Sequence, residues 1–321
     1  MKSLSCLNPV GYRTMRRRDI GGHWPESATA WAEGVARAAS EGGAMSQTIR
    51  RDAIYALGYT DEERQRLTEQ AELFRSCTSR LLQDAGLGPG AHVLDVGCGV
   101  GDVSILASSL VGPEGSVVGV DTDPRSLALA RQRVGERGLT NVTFTEGDFR
   151  EFVSTRLFDA VVGRFILMYQ GEPAAALAHL AELVRPGGVI VFQEQDFHCP
   201  PIARPGTVDT WCEALDRVTQ VFEASGLHTG MGLGLYEVFV EAGLPPPHMH
   251  IDVHVLTPAD MLGPKVAAHT LRSLMPTFER FRVATSEQLD PETYADRLLA
   301  DLAASRTVMG WPPLVGAWTR R

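Results

Sequence analysis

Several features are missing from this 321-residue chain, and each absence narrows what it does. Cysteine is scarce: Cys6, Cys77, Cys98, Cys199 and Cys212 are odd in number, scattered, and form no C-x-x-C pair. That pattern excludes a disulfide framework and a cysteine zinc site, and points to a reducing, cytoplasmic setting. No apolar run is long enough to span a bilayer, and the first residues lack the apolar core of a secretory signal. A basic excess is also absent: the formal charge is -9, which disfavours a phosphate-binding surface and nucleic acid as partner. Arg16-Arg17-Arg18 is the one basic run and reads as a solvated tail. There is no G-K-[ST] for a P-loop and no G-x-S-x-G elbow for a hydrolase.

What is present begins to show order after residue 60. Residues 1–44 carry no clear period and are expected to be a poorly structured or flexible extension, with the globular part starting near Met45. Cap helices are expected over 45–86, where Thr60 and Glu63 form a capping box and Leu67, Ala71, Phe74, Leu81, Leu82 and Ala85 recur at helical spacing. Strands and helices then alternate. "HVLDVG" (92–97), "SVVGVD" (116–121), "VTFTEGD" (142–148), "FDAVVGR" (158–164) and "VIVFQEQ" (189–195) read as strands, the last entered through the turn "RPGG". Helices fill the gaps, so 87–197 reads as an α/β, doubly wound parallel sheet. Two later strands, "MHIDVHV" (249–255) and "LVGAWT" (314–319), bring the count to seven, the last antiparallel. Helical insertions are expected within 198–248 and 257–313, the latter with helix starts at Thr257-Pro258 and Asp290-Pro291.

The first strand and its loop, "VLDVGCGVGDVS" (93–104), indicate the ligand class. A pyrophosphate-binding loop wants G-x-G-x-x-G; here Gly97, Gly99 and Gly101 alternate, and Asp102 occupies the third glycine's place. A carboxylate there repels phosphate. Asp121, ending the second strand, stands where an acid takes the two hydroxyls of an adenosine ribose. The ligand therefore reads as an adenosine without evidence for phosphates.

"VLDVGCGVGDVS", "VVGVDTDP", "EGDF", "FDAVVGRFILMY" and "LVRPGGVIVFQEQDF", in this order, resemble the class I S-adenosylmethionine-dependent methyltransferases over residues 60–197. "YALGYTDEERQRLTEQAELF" and "PPLVGAW" are similar to a bacterial branch near the quinone-biosynthesis and small-natural-product enzymes. The resemblance implies a Rossmann-like fold and S-adenosylmethionine as cofactor, with S-adenosylhomocysteine as product. It implies that Asp95 and the Gly97, Cys98, Gly99 and Gly101 loop line the methionine part, and that Asp121 and Thr122 lie at the ribose. Asp148 would accept from the adenine amino group beside Phe149, and Arg164 and Phe165 would meet the methionine amino group.

The acceptor side is expected from strand ends and the cap: Tyr55, Tyr59, Met168, Tyr169, Glu194, Asp196 and Trp311, with His198 as the candidate base. His248, His250, Asp252 and His254 share one strand face and could form a metal ladder. The preferred reading is an edge strand with Met249, Ile251, Val253 and Val255 buried and the polar face in solvent, with no metal. The expected activity is methyl transfer to O, N or C of a small molecule in secondary or quinone-like metabolism; a homodimer is compatible with this. The alternative is a methyltransferase-fold protein that binds the cofactor but catalyses a non-methylating rearrangement or serves as a binding partner.

Overall fold

A computed structural model describes residues 61–199 and 208–321. Tyr55, Tyr59 and the expected boundary near Met45 lie outside the described residues. The first described element is helix α1 (Asp61–Asp84). The alternating segment then delivers β1 (His92–Val96), α2 (Asp102–Val111), β2 (Ser116–Asp121), α3 (Pro124–Glu136), β3 (Val142–Glu146) and β4 (Phe158–Arg164). A short 3-10 turn, Leu167–Tyr169, leads to α4 (Pro173–Glu182) and β5 (Val184–Gln195). The cap follows as α5 (Asp209–Ala224) and α6 (Met231–Glu241). Beyond β6 (His248–Asp252) and β7 (Val255–Leu256) come α7 (Leu262–Phe281), α8 (Ser286–Leu289), α9 (Tyr294–Ser305), β8 (Met309–Gly310) and β9 (Leu314–Arg320).

Seven strands form one sheet in the order β3-β2-β1-β4-β5-β9-β6, and β7 pairs with β8 separately. Strands β1 to β5 run parallel; β9 is antiparallel to both β5 and β6. This is the doubly wound, mostly parallel sheet expected from the sequence. Because β1, β4 and the central part of β5 are covered on both faces, most of their residues are apolar at successive positions, whereas the edge strand β3 alternates. Val93, Ala160, Val162, Val189 and Val191 pack on one face with Leu81 and Leu82 of α1. On the other face, Leu94, Val161, Ile190 and Phe192 pack with α4 and α6. No helix among the described residues is long and apolar enough to cross a membrane.

Three local expectations are corrected. "RPGG" is not a turn outside the strand but a bulge within β5: Phe158 pairs with Val184, and Ala160 pairs with Val189. Helix α7 starts at Leu262 rather than at Pro258, because the Asp260 carboxylate receives the Leu262 and Gly263 amides at 3.0 and 3.1 Å. Asp290 likewise ends α8 in a left-handed conformation, and α9 begins at Tyr294. The third correction concerns the histidine strand. Its apolar residues are not the buried set: Ile251 is 52% exposed and Val255 44%, Met249 and Val253 are half-buried, and of the polar residues His248 is exposed while His250 and Asp252 are half-buried. Asp252 is bound by Arg80 of α1, and His248 stacks on Trp318 at 4.3 Å, so neighbours from α1 and β9 pack against part of the polar face. His254 leaves the strand and pairs with Asp260 at 2.6 Å.

Gly163 shows how tightly the sheet and its side chains interlock. A Cβ built there would lie 2.5 and 2.9 Å from the Phe192 ring and 3.1 Å from Val96. Gly163→Ala is expected to lower unfolding free energy by about 1–3 kcal/mol through overpacking, measured by urea denaturation against the unchanged protein.

Candidate cofactor and acceptor site

The carboxyl ends of parallel strands all open on one edge of the sheet, where ligands of doubly wound folds collect. A cavity of about 380 Å³ lies there. One side of it starts from the glycine turn. Gly97, Gly99 and Gly101 hold φ of 59°, 52° and 82°, a backbone region that side chains disfavour. A Cβ on Gly97 would strike Ile166 at 2.0 Å; one on Gly99 would meet nothing within 4 Å. The first glycine thus permits packing, and the second leaves open space above the backbone. Gly101 does not line the cavity; it lets Ala130 and Phe144 pack beneath the turn, each 3.1 Å from a Cβ built there.

Carboxylates fix this turn from below. Asp121 accepts from the Gly99 amide at 2.8 Å and from the Asp123 amide at 2.9 Å. Burial nevertheless pushes its pKa up. Asp95 is buried, accepts from the Ser104 hydroxyl at 2.5 Å, and is raised by burial to about 7. Asp102 faces Arg133 at 2.5 Å, and Arg133 also donates to the Val100 carbonyl at 2.6 Å. So the residue that replaces a third glycine is an ion-pair anchor for the loop. Asp148 is held by Arg150, whose Nε lies 2.9 and 3.0 Å from its two oxygens.

Arg164, at the end of β4, donates from Nη1 to the Thr78 hydroxyl at 3.1 Å, and Thr78 donates to Gln193 at 2.7 Å. Burial lowers its pKa, opposed by the nearby carboxylates of Asp102 and Asp95. Phe165 adopts φ of 59° directly after it, and this turns the chain into the cavity wall that carries Ile166, Met168 and Tyr169. Glu194 braces that wall: one oxygen accepts from the Ile166 and Leu167 amides, both at 2.8 Å. Its other oxygen is buried without a hydrogen-bond partner, and burial raises the carboxyl to about 8.

Of the residues expected in the site, Asp95, Gly97, Cys98, Gly99, Asp121, Thr122, Asp148, Phe149, Arg164, Phe165, Met168, Tyr169 and Trp311 all line this cavity. Glu194, Asp196 and His198 do not. Strand parity explains this: Gln195 and Phe197 take the cavity side of the β5 end, and Glu194 and Asp196 take the opposite side. Asp196 accepts from the His198, Cys199 and Leu233 amides at 2.9–3.0 Å. The His198 ring lies largely exposed against Thr229 at 2.8 Å and Glu223 at 3.5 Å. Missing from the sequence reading were Gln70 of α1, Trp211 and Phe222 of α5, Leu271 of α7 and Tyr294 of α9. No local signal in the sequence says that these helix positions face a cavity rather than core.

Comparison with known proteins agrees with this geometry. Residues 87–243 match the family model described as a methyltransferase domain. This segment of the chain is therefore similar to the class I S-adenosylmethionine-dependent methyltransferases. Aklanonic acid methyltransferase of Streptomyces sp. (strain C5) is 33% identical over 137 residues, covering 42% of this chain and 60% of that protein. Demethylmenaquinone methyltransferase of Staphylococcus aureus is 32% identical over 127 residues, covering 39% of this chain and 51% of that protein. The chain therefore spans little more than half the length of these relatives. A putative methyltransferase from Bacillus halodurans shares the fold, with a TM-score of 0.50 at 18% identity over 76% of this chain and 98% of that one. The family's cofactor is S-adenosylmethionine. The residues of this cavity fit that cofactor: open space over Gly99, carboxylates at both strand ends and no third glycine for a pyrophosphate.

The two raised carboxyls make stability depend on pH. Folded Glu194 keeps its proton to about 8 and Asp95 to about 7, whereas unfolded they lose it near 4.5 and 3.8. Between those values the native state binds more protons, so stability falls as pH rises, by up to about 1.4 kcal/mol per pH unit for each proton. Glu194→Gln is expected to flatten the decline between pH 7 and 8, measured by urea unfolding at successive pH values.

Proposed function

We propose that this protein transfers the methyl group of S-adenosylmethionine to O, N or C of a small, largely apolar acceptor in secondary or quinone-like metabolism. The observation that carries this reading is a single cavity with two differently built ends. One end is the glycine turn with Asp95, Asp121 and Asp148; the other is walled by Phe165, Met168, Trp211, Phe222 and Trp311. Trp211 and Trp311 pack with ring centres 5.1 Å apart, and Phe74 stands edge-on to Phe165 at 5.8 Å. Rings so arranged favour a flat apolar ligand. The names of the two curated relatives, which specify an aklanonic acid and a demethylmenaquinone, support the same class. The net charge of -9 supports a small molecule over nucleic acid.

S-adenosylmethionine supplies an electrophilic methyl group on a sulfonium. The protein's task is to align the acceptor and exclude water. Asp121 would receive the ribose hydroxyls, since its two oxygens hold one backbone amide each and retain accepting capacity. Asp95, lying beneath the turn beside Gly97, would face the methionine ammonium. Asp148, held by Arg150, would take the adenine amino group. The wall set by Glu194 would orient the acceptor through Phe165, Met168 and Tyr169.

Two measurements test the reading. Titration calorimetry with S-adenosylhomocysteine is expected to show binding that Asp121→Asn weakens about 10–100-fold, as loss of charged hydrogen bonds would. Incubation with methyl-labelled S-adenosylmethionine and a panel of quinols, phenols, carboxylic acids and amines is expected to label one acceptor class. Absence of S-adenosylhomocysteine binding would overturn the cofactor assignment; binding without any labelled product would favour the non-methylating alternative.

A further inference from the structure

Eight large apolar side chains are well exposed among the described residues, and six of them fall between Leu233 and Met261. On α6, Leu233, Tyr236 and Val240 are 51%, 49% and 44% exposed and stand at i, i+3 and i+7, one stripe along the helix. The sheet supplies the neighbouring surface. Gly232 of α6 packs on Val315 of β9, where a Cβ would come within 2.8 Å. Val315 is paired with Ile251 of β6, so Ile251 lies on the same sheet face as α6. Helix α6 packs over β5 and β9, and on that face of β6 Met249 is half-buried while Ile251 stays exposed. Strand β6 is also the last of the sheet, and its outer edge pairs with no strand among the described residues. An exposed apolar patch beside an unpaired strand edge is the surface that another chain extends.

The strand sequence, His248-Met249-His250-Ile251-Asp252, is complementary to its own reverse. We propose that a second copy of this chain adds its β6 antiparallel to this one, about a twofold axis at His250, joining two seven-stranded sheets edge to edge. In that register Met249 stands opposite Ile251 of the partner subunit on the α6 face. His248 stands opposite Asp252 of the partner subunit on the α1 face. Slipping by one residue would set apolar side chains against the polar ones, so the pleat allows only even shifts, and this register alone uses all five residues. The contact is isologous, as a twofold requires, and the α6 stripes of both copies flank the joined strands.

The inference is independent of the acceptor and of methyl transfer. Sedimentation velocity of the full chain at micromolar concentration is expected to give the mass of two chains. Ile251→Lys, at an exposed position, is expected to give one chain with an unchanged melting temperature. Cross-linking reads the register: His250→Cys meets its own copy across the axis and is expected to form a disulfide-linked dimer on a non-reducing gel, whereas Met249→Cys is not. A monomer at every concentration would overturn the proposal, and so would a dimer that Ile251→Lys leaves intact or that Met249→Cys links instead. A monomer with slowly exchanging β6 amides would assign the edge to another segment of the same chain and overturn it equally.

Discussion

The hydrogen bond from the Gly99 amide to Asp121, 2.8 Å long, joins the first two β–α turns of the sheet. The site depends on that link. Adjacent parallel strands bring the two turns together only at their carboxyl ends, and three left-handed glycines let the first turn lie flat enough for the second strand's carboxylate to reach it. The same carboxylate accepts the Asp123 amide, while Asp123 caps α3 through the Arg125 and Ser126 amides. One half-buried acid thus sets the glycine turn, the second turn and the start of a helix. Its pKa is raised by burial, so the protein holds this acid at some cost to its own stability, as sites that await a ligand's polar groups do.

Glu194 does the comparable work on the acceptor side. Its carboxyl receives two consecutive amides of the loop after β4, and the left-handed Phe165 just before them turns the wall inward. A side chain that looked like a ligand-binding acid is therefore a brace. Asp196 is another, tying the chain after β5 to the start of α6. Buried acids that hold backbone amides fix a loop as firmly as a short strand pairing would, and they leave the aromatic residues of the wall free to meet the ligand.

The fold and the glycine-turn end of the cavity were legible because their signals are local. The run "HVLDVG" is a buried strand whatever follows it, and Gly97, Gly99 and Gly101 announce positive φ before any contact is known. Asp121 was legible for the same reason, since the end of the second strand lies beside the first turn in every right-handed βαβ unit. The acceptor end was less so. Nothing near Trp211, Tyr294 or Leu271 in the sequence tells a helix face that lines a cavity from one that packs in core.

The sequence by itself determined the order of strands and helices, the parallel sheet and an adenosine-type ligand without pyrophosphate, since period, glycine placement and strand-end acids act within a few residues of themselves. Tertiary structure alone decided which side of β5 looks into the cavity. It put Gln195 and Phe197 inside, set Glu194 and Asp196 to bracing, and left the His198 ring largely exposed. It also decided that Ile251 stands exposed on β6 while His250 and Asp252 are half-buried, because α1 and β9 pack against the polar side. Such choices turn on which helix comes to rest on which face, a matter of packing between residues far apart in the chain.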